Sequence, residues 1–479
     1  MRWMWMVCVL GVWVRISATE ASLESYPPDK TISQSIRIGD KTLNYHVTVG
    51  VVPVRDGSLR PIGAVSFVAY VLEAPSKRSR PVTFAMNGGP GVASAAVNVR
   101  ALGPKRLVFD TQGSVTWVEN PASWLSFTDL VFLDAMDTGF SRSFLEPSES
   151  RTAFLHYDSD IAYLSQAIFD WLQRYGRLQS QKHLVGESYS GYRAPRILEY
   201  LQTRLGTPFD GLVLLSPLMN QDQSKDLDVL PNPVPWIGTL PTAVAAQLER
   251  NGQLSAAALA PIEQYARSEY ATALLDGWRH PEKLQQLVSR LIPMTGLSED
   301  YLLRTGGRIE PHSYLREIYH FENRFANYYD VNITYPNGFP VPNDDGTVFE
   351  ILTDNSVPAG TPALTSFITD VVGWKPAGRY VGFSRDVNEA FVWARGTNDH
   401  ESYSALRRLL LENPRLKVLL THGYTDIACP YFADVIALDQ IPPGAGRDRI
   451  RLSVYPGGHA FYTRTPSLEA FTRDARANY

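Results

Sequence analysis

HLVGESYSGYRAP, residues 183 to 195, places Ser188 between a short apolar run and a stretch with helical spacing. A nucleophilic serine raised on a strand-turn-helix is usually framed as G-x-S-x-G. Here the second glycine falls one residue late, giving Gly186, Glu187, Ser188, Tyr189, Ser190 and Gly191. Strand and helix approach closely at such an elbow, so the residues two before and two after the serine must be small. Gly186 and Ser190 meet that demand and Gly191 adds room. A serine that caps the helix suits the same residues, and the stretch alone leaves both roles open.

The flanking chain supplies the scaffold. HLVGE reads as a strand, SGYRAPRILEYLQTRL as a helix and GLVLLS (211 to 216) as the next strand. Upstream, YHVTVGVVPV (45 to 54) and GAVSFVAYVL (63 to 72) are β-like, and PVTFAM (81 to 86) and DLVFLD (129 to 134) are short continuous apolar runs of the kind buried on both faces. Ile161, Leu164, Ile168 and Leu172 recur at helical spacing within 151 to 175. Downstream, SYSALRRLLLENP is a helix, LKVLLTHG (416 to 423) a strand, PYFADVIALDQI a helix and RIRLSVYPGGH (449 to 459) a strand and loop. This βαβ order predicts a mostly parallel central sheet with helices on both faces.

The alternation breaks after Leu218, where VLPNPVPW (229 to 236) leads into helix-like segments from about 241 to 325 and then the turn-rich ITYPNGFPVPNDDG (333 to 346). Residues 225–345 are therefore expected to form a largely helical insertion, a cap, between a first core segment, 22–224, and a second, 346–479. Residues 1–21 carry Arg2, an apolar run from Trp3 to Val14 and then small residues, the layout of a secretory signal peptide. The run falls short of the roughly 20 apolar residues that span a bilayer. Export to the periplasm or exterior is predicted, with no stable membrane association once the signal is removed.

Net charge is −4 over 479 residues, without a basic stripe, which argues against nucleic acid as a partner. Only Cys429 would survive removal of the segment holding Cys8, so no intramolecular disulfide is expected. No Cys/His cluster has zinc spacing, and neither a metal nor a cofactor is predicted.

A serine nucleophile needs a base and an orienting acid, which in α/β hydrolases follow it in the order acid, histidine, on loops after later strands. His459 in YPGGHAFY and Asp426 in THGYTDIACPY occupy such places; His422 is expected to be structural. AMNGGPGVAS (85 to 94) follows an apolar strand upstream of Ser188, where a glycine-rich loop can offer N–H groups to a tetrahedral oxyanion. Gly89 and Tyr189 are assigned to that hole.

Taken together, MNGGPG, SWLSFTDLVFLDAMDTGFS (123 to 141), GESYSG, GYTDIACP and YPGGHAFY resemble the serine carboxypeptidase family, in family order across most of the chain. The resemblance implies an α/β-hydrolase fold with Ser188 as nucleophile, His459 as base and Asp426 as its orienting acid. It also implies that Asn87, Gly88 and Glu187 bind the free carboxylate of a substrate. The implied activity is hydrolysis of the C-terminal peptide bond of peptides or proteins through an acyl-enzyme. Because Glu187 would face a substrate carboxylate, an acidic working pH follows.

Departures from the family pattern keep a second reading open. RALGPKR puts Ala101 where a glutamate usually pairs with the one before the nucleophile, Val92 replaces a cysteine, and Ala135-Met136-Asp137 replaces a proline-containing segment. An acyltransferase or esterase lacking carboxylate specificity is the alternative, and a catalytically inactive binding protein a third. Asn332-Ile-Thr is a glycosylation sequon in form, read here as a chance tripeptide.

Overall fold

The computed structural model describes residues 22–73, 80–109, 114–220, 232–337, 356–393 and 401–479. The predicted signal peptide, 1–21, and the predicted insertion boundaries near 225 and 345 lie outside the described residues.

Ten strands form one mixed sheet: β1 (Lys30–Ile38), β2 (Lys41–Arg55), β3 (Pro61–Leu72), β4 (Val82–Met86), β5 (Asp129–Leu133), β6 (Arg142–Ser143), β7 (Lys182–Glu187), β8 (Gly211–Leu215), β9 (Lys417–Gly423) and β10 (Ile450–Tyr455). Their spatial order is β1-β2-β3-β5-β4-β7-β8-β9-β10, with β6 on β3. From β5 to β10 every neighbouring pair is parallel, while β1, β2, β3 and β6 pair antiparallel. The antiparallel edge follows from the short link at Gly39, whose φ of 59° opens a two-residue hairpin turn.

Strand periodicity sends alternate side chains to two separate cores. Leu184, Leu212, Leu214, Val418 and Leu420 join the helices Tyr157–Arg174, Tyr189–Thr203 and Tyr403–Glu412. Val185, Val213, Leu215 and Leu419 join Trp124, Trp374 and the terminal helix Thr465–Arg476. Strands buried on both faces are apolar along most of their length, which explains their short continuous runs in the sequence.

Between β8 and β9 the helices Val234–Arg250, Ala256–Tyr265, Ala271–Asp276, Pro281–Thr295, Glu299–Arg304 and Pro311–Glu317 gather around their own core of Leu240, Val244, Tyr270, Leu291 and Tyr314. Ile427, Cys429 and Phe432, just beyond β9, belong to that same core and seat the insertion on the sheet. Two elements run against the sequence reading. Arg324–Ala326 and Thr334–Pro336 form a small ribbon inside the expected helical segment, and Lys105–Phe109 pairs with Val115–Glu119. The architecture is that of an α/β hydrolase with a helical insertion. Among the described residues no helix is long and apolar enough to cross a membrane.

Candidate active site

The chain reverses between β7 and the helix Tyr189–Thr203 on a single residue, Ser188, held at φ 58°, ψ −121°. A positive φ on a non-glycine residue is strained and persists only where its surroundings over-determine it. They do so here: Ser188 N–H donates to Leu215 O at 3.0 Å, and Ser188 O accepts from Gly191 N at 2.7 Å and Leu218 N at 2.9 Å. A Cβ on Gly186 would lie 2.9 Å from Ser190 Cβ, and one on Gly191 2.2 Å from Pro217 Cβ, so the late glycine meets a second close approach. The Ser188 hydroxyl makes no capping bond to its helix and the residue is half-buried, which disfavours the capping role.

Asp426 follows β9 and His459 follows β10, on the carboxyl edge where Ser188 follows β7. His459 Nδ1 lies 2.8 Å from Asp426 Oδ2, while Asp426 Oδ1 accepts the N–H groups of Ala428 and Cys429, each at 3.0 Å. A carboxylate only accepts, so the hydrogen of that bond sits on Nδ1, which in the neutral ring leaves Nε2 as the acceptor. The histidine loop is anchored from two sides. Ser216 Oγ, next to the carbonyl that holds Ser188, donates to His459 O at 2.7 Å; His459 N–H donates to Tyr329 O at 2.6 Å. Close packing also brings the loop over β9, because a Cβ on Gly423 would lie 2.0 Å from Gly458 O.

The glycine-rich loop after β4 rests on the elbow. A Cβ on Gly88 would lie 2.6 Å from Tyr189 N and 2.8 Å from Ser188 Cβ, so only glycine permits the contact. Tyr189 opens its helix, where the N–H has no intrahelical acceptor, and Gly89 follows Gly88 at φ 106°. The Asn87 carbonyl accepts from Ser190 Oγ and Arg193 Nη2, both at 2.7 Å, and Arg193 is paired with the buried Asp160 at 3.1 Å. Sequence reasoning missed this buried ion pair, which braces loop and elbow together.

Asn87 Nδ2 donates to Glu187 Oε2 and Tyr462 Oη to Glu187 Oε1, so both oxygens of the buried Glu187 receive a donor. Ala101 is buried in the short helical segment Val97–Leu102, and Tyr462 supplies Glu187 with a partner that the sequence reading looked for at 101. The signal available was its place three residues after His459.

Cys429 is a further reactive group beside Asp426 and His459, but burial pushes its thiol well above the usual range, with the charge of Asp426 adding to the effect. Its sulfur lies with ligand atoms of Asp426 and His459 within 4.8 Å of one another, although those two already engage each other. His422 is fully buried between Asp434 Oδ2, 2.8 Å from Nε2, and Cys429 O, 3.2 Å from Nδ1. The sequon residue Asn332 spends its amide on Glu249 Oε2 at 2.7 Å and Ala246 O at 3.3 Å, bonds that a glycan would break.

The serine carboxypeptidase family model matches residues 65–232. The pheromone-processing carboxypeptidase KEX1 of Zygosaccharomyces rouxii is 26% identical over 207 residues, 42% of this chain and 29% of that protein. Serine carboxypeptidase-like 26 of Arabidopsis thaliana is 30% identical over 134 residues, 27% of this chain and 28% of that protein. The chain thus matches under a third of the length of these curated relatives. The crystal structure of a prohormone-processing carboxypeptidase, Kex1(Δ)p from Saccharomyces cerevisiae, shares the fold at a TM-score of 0.56, covering 91% of each chain at 14% identity. Over residues 65–232 the chain is thus similar to the serine carboxypeptidase family, and its fold is shared with a member of that family.

Proposed function

We propose that this protein is an exported serine-type carboxypeptidase that removes the C-terminal residue of peptides or proteins through an acyl-enzyme. The observation that carries the reading is the strained Ser188 elbow at the same sheet edge as a 2.8 Å His459–Asp426 pair, with Ser216, next to the carbonyl that holds Ser188, donating to His459 O. In this reading His459 Nε2 takes the Ser188 proton as Oγ attacks the scissile carbonyl, and Asp426 holds the imidazole and steadies the imidazolium. The N–H groups of Gly89 and Tyr189 receive the developing oxyanion. His459 then returns the proton to the leaving amine, water enters, and the same histidine activates it to release the acid product. Asn87, Gly88 and Glu187 are proposed to meet the substrate carboxylate.

A second reading, an esterase or acyltransferase without C-terminal specificity, is favoured by one observation. Glu187 already accepts hydrogen bonds at both oxygens, and an ionised carboxylate there repels another. One N-blocked dipeptide, offered as free acid and as amide to enzyme that labels with a serine-directed phosphonate, separates the two. A clear preference for the free acid supports the carboxypeptidase; equal rates move the assignment to the second reading.

A further inference from the structure

We propose that Asp330, carried by the insertion, is a positioning residue of the catalytic centre: one buried carboxylate that holds the residues immediately before both Asp426 and His459. Its Oδ1 accepts from Thr425 Oγ1 at 2.7 Å and from Asn332 N at 3.2 Å, and its Oδ2 from Gly458 N at 3.1 Å and Arg464 Nη2 at 2.9 Å. Thr425 precedes the orienting acid and Gly458 precedes the base. A single side chain therefore spans the two loops whose separation sets the His459–Asp426 bond.

Neighbouring backbone reinforces the clamp. Val331 N donates to Thr425 O at 3.1 Å, Thr425 N to Gly457 O at 3.0 Å, and His459 N to Tyr329 O at 2.6 Å, so residues 329–331 lace both loops. The Tyr329 ring stands 5.0 Å from the His459 ring, centroid to centroid. A Cβ on Gly458 would lie 2.0 Å from Tyr329 O and 2.5 Å from Asp330 Cβ, so the approach requires glycine there. Arg464 ties the clamp to the helix Val234–Arg250, donating from Nη1 to Glu249 Oε1 at 2.5 Å. The insertion thus does more than cover the sheet edge: it carries part of the support for the acid and base.

This inference rests on the triad reading above, and the test keeps the two apart. Asp330→Asn preserves volume but removes the charge and puts an amide donor against either Gly458 N and Arg464, which costs the base loop its acceptor, or Asn332 N, which costs the segment 329–331 lacing both loops its turn. Thr425→Val, which removes one bond and keeps the carboxylate, serves as the second variant should the first fail to fold. The measurements are kcat and KM on an N-blocked dipeptide, the rate of phosphonate inactivation, the urea midpoint, and the low-field proton resonance of the His459 Nδ1–H. Because displacement of a catalytic group by about 1 Å can cost ~10²-fold, kcat and inactivation rate are expected to fall together, about 10- to 100-fold for Asp330→Asn and less for Thr425→Val. KM should stay within about twofold, and the low-field resonance should shift or broaden. An unaltered resonance and inactivation rate in folded variants, or a loss of kcat matched by the loss of folded protein, overturns the clamp. Wild-type enzyme that neither labels nor turns over peptide overturns the triad reading instead.

Discussion

Tyr462 Oη lies 2.5 Å from Glu187 Oε1, on the opposite side of the carboxyl group from Asn87. With both oxygens engaged, an ionised Glu187 offers a substrate carboxylate only repulsion. A glutamine there keeps the shape, accepts from Asn87 and turns its amide toward Tyr462, whose hydroxyl can rotate to accept. Glu187→Gln is therefore expected to raise the free-acid over amide ratio of kcat/KM at neutral pH by about tenfold, the worth of one charge-assisted hydrogen bond. Tyr462→Phe, which frees Oε1 to share a proton with the substrate, should move the ratio the same way by less. Ratios unmoved in both variants would remove Glu187 from carboxylate recognition.

Ser188→Ala removes only an oxygen from a half-buried residue whose backbone bonds remain, so the fold should persist with an unchanged urea midpoint. Turnover should fall at least about 10³-fold, with no phosphonate adduct. Labelling that survives in this variant would put the nucleophile elsewhere.

The two buried histidines at this sheet edge separate chemistry from structure. His459→Ala should match the loss seen with Ser188→Ala, and Asp426→Asn should cost the same or less, since a triad acts as a unit. His422→Ala leaves Asp434 Oδ2 without its imidazole partner inside the core while Tyr403 still donates to Oδ1, a loss of about 1–3 kcal/mol. Its signature is a lowered urea midpoint with near-normal kcat in the folded fraction. The reverse pattern, a stable but inactive His422 variant beside an active His459 variant, would exchange the two assignments.

What the sequence revealed and what it concealed divide along physical lines. Strands β4, β5, β7, β8 and β9 are legible because burial on both faces keeps a continuous apolar run at their centres. Lys30–Ile38 went unread because KTISQSIRI is polar over most of its length and exists by pairing with β2, not by burial. Ser188, Asp426 and His459 sit in glycine-rich turns at strand ends, where local chemistry marks them. Asp330 carries no such mark and Tyr462 only its place near His459, since their contacts with Gly458 and Glu187 lie 128 and 275 residues away. The ribbon at Arg324–Ala326 escaped for a related reason, its partner strand being only three residues long.

Asp134 offers a stability test tied to the loop that supplies Gly89. It is buried, its Oδ1 accepts from Ser94 N at 2.8 Å and its Oδ2 from Ser66 Oγ at 3.1 Å, and burial pushes its carboxyl up to about 6 against those bonds. A folded-state value above the unfolded one means that the native chain binds the extra proton between about pH 4 and 6. Stability from this group is therefore full below the unfolded value and lost as pH rises through about 6, a difference of ~3 kcal/mol between the two limits. Asp134→Asn mimics the protonated form, its oxygen accepting from Ser94 and its amide donating to Ser66 Oγ, at every pH. The urea midpoints of wild type and variant should coincide near pH 4 and separate toward pH 7, with the variant the more stable. A difference between the two that stays constant from pH 4 to 8 would show that Asp134 enters the fold ionised and is stabilised by Ser94 and Ser66 as such.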